Sequence, residues 1–266
     1  MNEPGFALLK RTIFHPCAVA HYFPSMRLSP FRLPAFAVCL LIPLTMAACS
    51  NSSEAFLNKG RELMRKNDFQ PALDFLNKAV EKDPESYEAL NARGAAYLEL
   101  KRYAEAQLDF DRAVSLNPNA YQPYYNRGRS YAARQNWPEA AKDFTQAIRL
   151  APDTADAHFN RGFVYFRMEK FPEALQDFSR AVLLDPKNHD YHYNRGTTRL
   201  RLQDAKGALE DFRQSVLLNP QFAKGYYTLG LEEILSKNAS QGCAHLRRAD
   251  QLNYAEAKAA LEMYCK

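Results

Sequence analysis

Six glycines stand 34 residues apart, at Gly60, Gly94, Gly128, Gly162, Gly196 and Gly230. The chain holds only ten glycines, so more than half of them obey one period. A fixed period of this length marks a stack of similar supersecondary units, none of which can bury its apolar face alone. Other positions keep the beat. Twelve residues after each glycine stands a small residue: Ala72, Ala106, Ala140, Ala174, Ala208 and Gly242. Leu76, Phe110, Phe144, Phe178, Phe212 and Leu246 follow four residues later, and Ala79, Ala113, Ala147, Ala181, Ser215 and Ala249 three after that. Pro84, Pro118, Pro152, Pro186 and Pro220 close the units. Each unit thus carries two apolar stretches with helical spacing, and a proline ends the second. The expected architecture is all-α, with two helices per unit that approach closely at the glycine and the small residue.

These residues resemble those of the tetratricopeptide repeat. The segment YYNRGRSYAARQNWPEAAKDFTQAIRLAP, Tyr124 to Pro152, resembles that family closely. The resemblance covers six units, residues 53-86, 87-120, 121-154, 155-188, 189-222 and 223-253, followed by 254-266 as a capping helix. It implies a right-handed α-solenoid of six helical hairpins. A terminal cap is needed because the last hairpin would otherwise expose its stacking face. The fifth unit departs from its neighbours, with Arg199 in place of tyrosine and Ala205 in place of an aromatic residue, and is expected to pack less well.

Residues ahead of the array read differently. Arg27 and Arg32 precede an apolar stretch from Leu33 to Met46, and small residues then lead to Cys49. Basic start, short apolar core and small residues describe a secretory signal, here 26-48. The run falls short of the ~20 residues a membrane span needs and holds Pro34 and Pro43. LTMAAC resembles a bacterial lipoprotein signal, which implies lipid on Cys49, a short tether over 49-52 and, with Ser50 next, an outer-membrane protein facing the periplasm. Acyl chains there would anchor the chain to the membrane. Residues 1-25 form an extra leader or an early start, since Met26 makes an ordinary one.

Of five cysteines, Cys17 and Cys39 would leave with the signal and Cys49 would carry lipid. Cys243 and Cys265 remain, and an oxidising compartment favours a disulfide between them. Antiparallel helices turning near Asn253 would bring their ends together. The alternative is two separate buried thiols. Residues 1 to 48 supply a net +3 of the formal +5, which leaves the rest near +2 and gives no electrostatic case for nucleic acid.

Arg93, Arg127, Arg161 and Arg195 precede the middle glycines, and Asp109, Asp143, Asp177 and Asp211 follow sixteen residues after each. They occur together and vanish together, which suggests an ion pair between the two helices of a hairpin. A row of arginines open to an anionic ligand is the competing reading.

In the resembled family the first helix of each hairpin lines a concave groove. There stand Asn126, Asn160 and Asn194, beside an aromatic row of Tyr125, Phe159, Tyr193 and Tyr227, with Arg129, Arg167 and Arg201 nearby. A ladder of amides could pair with an extended peptide backbone. Equally, the asparagines could satisfy a neighbouring helix, and the tyrosines could be half buried between hairpins. Arginine and asparagine occur together from about Tyr121 to Thr198, which is the expected binding stretch for a segment with apolar and acidic side chains.

Nothing reads as catalytic: there is no phosphate loop, zinc spacing or nucleophile elbow, and no cofactor is expected. His158, His189 and His192 could hold a metal but are more ordinarily packing. The expected function is a non-enzymatic adaptor that binds envelope proteins at the outer membrane. The alternatives are a subunit that recruits peptides or unfolded chains to an envelope enzyme, a pilus or secretion pilotin, and a self-associating structural lipoprotein.

Overall fold

The computed structural model describes residues 52-266. The leader, the signal and Cys49 lie outside them. Among the described residues thirteen helices follow one another: α1 (Ser53–Arg65), α2 (Phe69–Lys82), α3 (Tyr87–Glu99), α4 (Tyr103–Leu116), α5 (Tyr121–Ala133), α6 (Trp137–Leu150), α7 (Ala155–Arg167), α8 (Phe171–Leu184), α9 (His189–Arg201), α10 (Ala205–Leu218), α11 (Ala223–Leu235), α12 (Ala239–Gln251) and α13 (Ala257–Tyr264). They form six hairpins, α1–α2 to α11–α12, and α13 packs on α12. Among the described residues no helix is long and apolar enough to cross a membrane.

The glycine period is steric. A Cβ on Gly94 would stand 2.7 Å from the Phe110 ring, and one on Gly60 2.6 Å from Leu76. Every periodic glycine faces the large residue of its own hairpin, so the two helices close onto Phe110, Phe144, Phe178 and Phe212, all fully buried together with the alanines around them. Burying such a ring contributes about 2–3 kcal/mol.

Each hairpin turn is closed in the same way. The second residue after the first helix takes a left-handed conformation, at Asn67, Lys101, Gln135, Glu169, Gln203 and Lys237, with φ between 59° and 64°. The next backbone N–H then reaches back five residues, as from Arg102 to the Tyr97 carbonyl at 2.8 Å and from Asn136 to Tyr131 at 2.9 Å. This is the Schellman closure, which satisfies carbonyls the helix end leaves open. Between hairpins, Asp83, Asn117, Asp185 and Asn219 each accept a bond from the N–H two residues on, across the closing proline. Such Asx turns redirect the chain without a glycine.

The fifth hairpin is not loose. Arg199 donates to the Gly207 carbonyl at 3.0 Å and to Asp211 at 2.8 Å. Its guanidinium thus ties the two helices where the second, third and fourth units use Tyr97, Tyr131 and Tyr165, and Ala208 and Phe212 are fully buried. At the end of the array the Cys243 and Cys265 sulfurs are bonded, 1.99 Å apart, which staples α12 to the end of α13. Tyr227 stacks on Tyr254 at 4.8 Å, and Ala257 and Ala260 are buried under the cap.

Candidate functional site: the inner wall of the array

First helices of neighbouring repeats touch one another, α1 with α3, α3 with α5, α5 with α7 and α7 with α9, and second helices make no comparable contact. The array therefore curves with the first helices on its inner wall.

Behind that wall lies a row of ion pairs. Arg93 forks onto Asp109 at 2.8 and 2.7 Å, Arg127 onto Asp143 at 2.7 and 2.8 Å, and Arg161 onto Asp177 at 2.8 and 2.7 Å. Arg195 grips Asp211 at 3.0 and 2.6 Å. The carboxylates hold the Arg93 and Arg127 guanidiniums above their ordinary value. A third nitrogen reaches the second helix of the preceding repeat, at Asn77 from Arg93, Asp111 from Arg127 and Thr145 from Arg161. Each of these three arginines is thus a bracket across three helices, with its fork filled by protein rather than open to an anion.

The last repeat reverses the charges. Leu229 and His245 stand where the arginine and aspartate would be, and buried Glu233, 1% exposed, takes the tyrosine position. It accepts from Arg213 of the preceding repeat at 2.8 Å and meets His245 Nδ1 at 2.7 Å. Sequence reasoning missed Glu233. Its signal was the simultaneous loss of arginine, aspartate and tyrosine in one unit.

The asparagine row turns sideways more than outward. Asn126 donates to Asn91 of the preceding repeat at 3.0 Å. Asn160 donates to the Tyr125 hydroxyl at 3.2 Å and to the Asp156 carbonyl at 2.7 Å, which uses both amide hydrogens. Asn194 has Phe159 in place of a tyrosine on the preceding helix and donates only to the Asp190 carbonyl of its own helix, at 2.8 Å. Beyond it, Tyr193 and Thr228 resume the cross-repeat bond at 3.2 Å. These bonds brace the wall, so the free ladder of amides for a peptide backbone is reduced. Asn58 also stands two places before its glycine, in the first repeat, and was passed over.

The aromatic row is mostly lining. Tyr125 rests on Phe144 at 5.9 Å, Phe159 on Phe178 at 5.6 Å and on Tyr191 at 4.9 Å, and Tyr193 on Phe212 at 5.6 Å. Burial pushes the Tyr125 phenol up, and Tyr193 is buried rather than displayed. Arg129 is tied to Glu99 at 2.8 Å.

What faces the groove instead is a ridge on α7. Phe159, Phe163, Phe166 and Arg167 share one helical face, by their spacing of four, three and one. Phe163 meets Trp137 edge-on at 6.4 Å, and Phe166 meets Phe171 at 5.4 Å. The Arg167 guanidinium lies over Trp137 at 4.8 Å, and Arg201 lies over Phe171 at 5.9 Å. Phe166, Arg167, Glu169, Phe171 and Arg201 enclose a pocket of about 180 Å³. Of these, sequence reasoning found the arginines and missed Phe163, Phe166, Trp137 and Phe171, although Phe159, Phe163 and Phe166 carry the i, i+4, i+7 signal of a helix face.

Neither histidine pair is arranged for a metal. His158 and His192 turn Nε2 to the Pro152 and Pro186 carbonyls, each at 3.0 Å, which makes them donors there. Among the described residues no three His, Cys, Asp or Glu side chains are grouped to hold an ion.

The geometry defines a helical-hairpin solenoid with an aromatic, cationic inner wall. Sequence models described as tetratricopeptide repeat or TPR repeat match residues 57–121, 128–169, 155–188 and 189–222. The chain belongs to the tetratricopeptide repeat family, whose arrays are protein-interaction scaffolds. No curated protein matches it. Among solved structures it is similar to YrrB, described as a TPR protein with an unusual peptide-binding site, with TM-score 0.61 and 22% identity over 70% of this chain and 97% of that one. It is similar also to PilF of Pseudomonas aeruginosa, with TM-score 0.72 and 15% identity over 79% and 96% of the two chains. PilW, described as a type IV pilus biogenesis factor, gives 0.70 and 20% over 79% and 97%. These likenesses are likenesses of fold.

Proposed function

We propose that the protein is a non-enzymatic adaptor of the bacterial envelope, tethered to the outer membrane by lipid on Cys49, that holds extended segments of other proteins against its inner wall. The observation that carries the binding reading is the α7 ridge. Phe163 and Phe166 are only half buried, and Arg167 beside them is exposed. Solvent-facing aromatic and arginine side chains are the residue types that dominate binding energy at protein interfaces. The ridge lies on one first helix and Arg201 adds a second arginine one repeat on, an arrangement that suits a ligand laid across the wall. The tether rests on the basic, apolar and small-residue run ahead of Cys49. From Ser50 to Ser53 it can reach about 14 Å, which would keep the first repeat near the membrane.

A second reading is a part in pilus assembly. PilF and PilW match nearly end to end, over 96% and 97% of their lengths, so the whole array, not a fragment of it, shares their fold. Affinity capture from detergent-solubilised envelopes, with the wild type beside a Phe163→Ala/Phe166→Ala variant, tests the adaptor. Cell-wall enzymes or pore components held by the wild type and lost by the variant support it, and pilus components support the second reading. Retention by the variant of everything the wild type holds overturns the groove. Mass spectrometry of the mature N-terminus tests the tether: a first residue other than a modified Cys49 refutes it.

A further inference from the structure

The first hairpin leaves open a face that each later hairpin packs against its predecessor. Four of its positions belong to that face, and their equivalents further along the chain show what such positions do. The bracket arginines reach the preceding second helix at Asn77, Asp111 and Thr145. His158 and His192 bond to the closing carbonyls of Pro152 and Pro186. Arg180 and Arg248 reach the turn before their units, at Asp153 and at the Pro220 carbonyl. The aspartates under the bracket arginines are buried. In the first hairpin these four places hold Lys59, Phe56, Lys78 and Phe75, and no unit precedes it among the described residues. Phe56 and Phe75 are only half buried, and both lysines are exposed. The Lys78 ammonium lies 5.8 Å from the Phe56 ring and 5.6 Å from the Phe75 ring. The far end of the array is unlike this, since α13 closes it and the disulfide holds α13 in place. The end unit of a repeat array needs a polar outer face to stay soluble, and here it presents two aromatic rings under an ammonium.

We propose that this end face lies on the membrane surface, with Phe56 and Phe75 in the headgroup layer and Lys78 against lipid phosphates. This rests on the tether at Cys49 and adds the face by which the array meets the bilayer. The place of the face in the chain points to this occupant. Phe56 follows Cys49 by seven residues, and the tether reaches about 14 Å, so a tethered chain holds the rings within reach of the headgroups. Ser50, Asn51 and Ser52 carry no apolar side chain to cover them. A second copy would find too little here, because a stable protein interface buries about 1,200–2,000 Å² and this face offers two half-buried rings. The chemistry suits an interface between lipid and water. Phenylalanine seats at the boundary of headgroups and acyl chains, and a lysine stem lies along apolar surface while its ammonium stays with the polar layer. The face is the end of the stack, so contact there stands the array off the bilayer and leaves the α7 ridge, three repeats away, clear of lipid.

The test uses the mature, lipidated chain in vesicles of phosphatidylethanolamine and phosphatidylglycerol. A nitroxide is attached at Lys59→Cys on the end face, or at Lys142→Cys on α6. With Cys49 acylated and Cys243 bonded to Cys265, the introduced thiol is the one free thiol of the mature chain. Collisions with oxygen report lipid, and collisions with a water-soluble nickel chelate report water. Expected on vesicle binding is a shift toward oxygen and away from nickel at position 59, and none at position 142. Phe56→Ser/Phe75→Ser should abolish the shift while the protein still floats with the vesicles on its acyl chains. Lys78→Glu, at an exposed position, should weaken it, and decides the matter alone where the double variant fails to fold. A label at position 59 as open to nickel as the one at 142, or a shift that survives these substitutions, would overturn the proposal and leave the tether standing. Shielding from oxygen and nickel together would mark a protein contact and overturn it too. Protein that does not float at all would refute the tether, and the end-face contact with it.

Discussion

The Asn160 amide reaches back one repeat and donates to the Tyr125 hydroxyl at 3.2 Å. An amide that the sequence alone offers to a peptide backbone is thereby a cross-brace between α7 and α5. Asn194, facing Phe159 instead, has no such partner and bonds only within its own helix. Removing a modest neutral hydrogen bond costs about 1 kcal/mol. Tyr125→Phe should therefore lower stability by about 1 kcal/mol, and Asn160→Ala should lower it more than Asn194→Ala. Denaturant midpoints of the three variants check this. Equal midpoints for the two asparagine variants would contradict the cross-brace.

The Arg161–Asp177 pair predicts strong coupling. Breaking one side of a buried pair leaves a charge without its partner, at a cost of about 3–5 kcal/mol. Arg161→Ala and Asp177→Ala should each destabilise by an amount of that order. The double variant should fall short of the sum by about 1 kcal/mol or more. Additive losses in a double-mutant cycle would argue against the bracket.

Backbone geometry gives a pair of opposite predictions. Gly94→Ala drives a methyl into the Phe110 ring, and overpacking of this kind costs about 1–3 kcal/mol. Gln135 is exposed and left-handed, at φ 60°, where a Cβ costs about 1 kcal/mol. Gln135→Gly should therefore raise the melting temperature while Gly94→Ala lowers it. A stabilising Gly94→Ala would show that the hairpin can open to admit a side chain.

The terminal staple has its own signature. Closing the loop from Cys243 to Cys265, 22 residues apart, restricts the unfolded chain by about 3 kcal/mol. Cys265→Ser should lose that amount and raise amide exchange in α13 before it does so elsewhere. Unchanged exchange in α13 would mean that the packing of Ala257 and Ala260 holds the cap alone.

The scaffold was legible in the sequence because its rule is steric and repeats. Gly94 must face Phe110, and the same requirement recurs at every unit, so period alone reveals it. Arg93 and Asp109 were legible for a related reason, since a pair lost together marks a pair joined together. The fifth hairpin was misjudged because a side chain can change its role. Arg199 replaces tyrosine's packing with hydrogen bonds to Gly207 and Asp211, a substitution no apolar pattern records. The groove was read with less success. Asn160 and Tyr193 lie on the inner helices, but which way a polar side chain turns depends on its neighbour one repeat back, and Tyr125 for Asn160 against Phe159 for Asn194 makes the difference. Phe163 and Phe166 were hidden in plain helical spacing, since the same spacing also describes a buried face.

Site-specific photo-crosslinking tests the central claim most directly. A photoreactive phenylalanine analogue replaces Phe163 on the inner wall in one protein and Lys142, exposed on the second helix α6, in another, and both are irradiated in intact cells. The account predicts discrete adducts with partner proteins from position 163 and none of the same mass from position 142. Partner adducts from position 142 alone, or the same set from both, would contradict an inner-wall binding site.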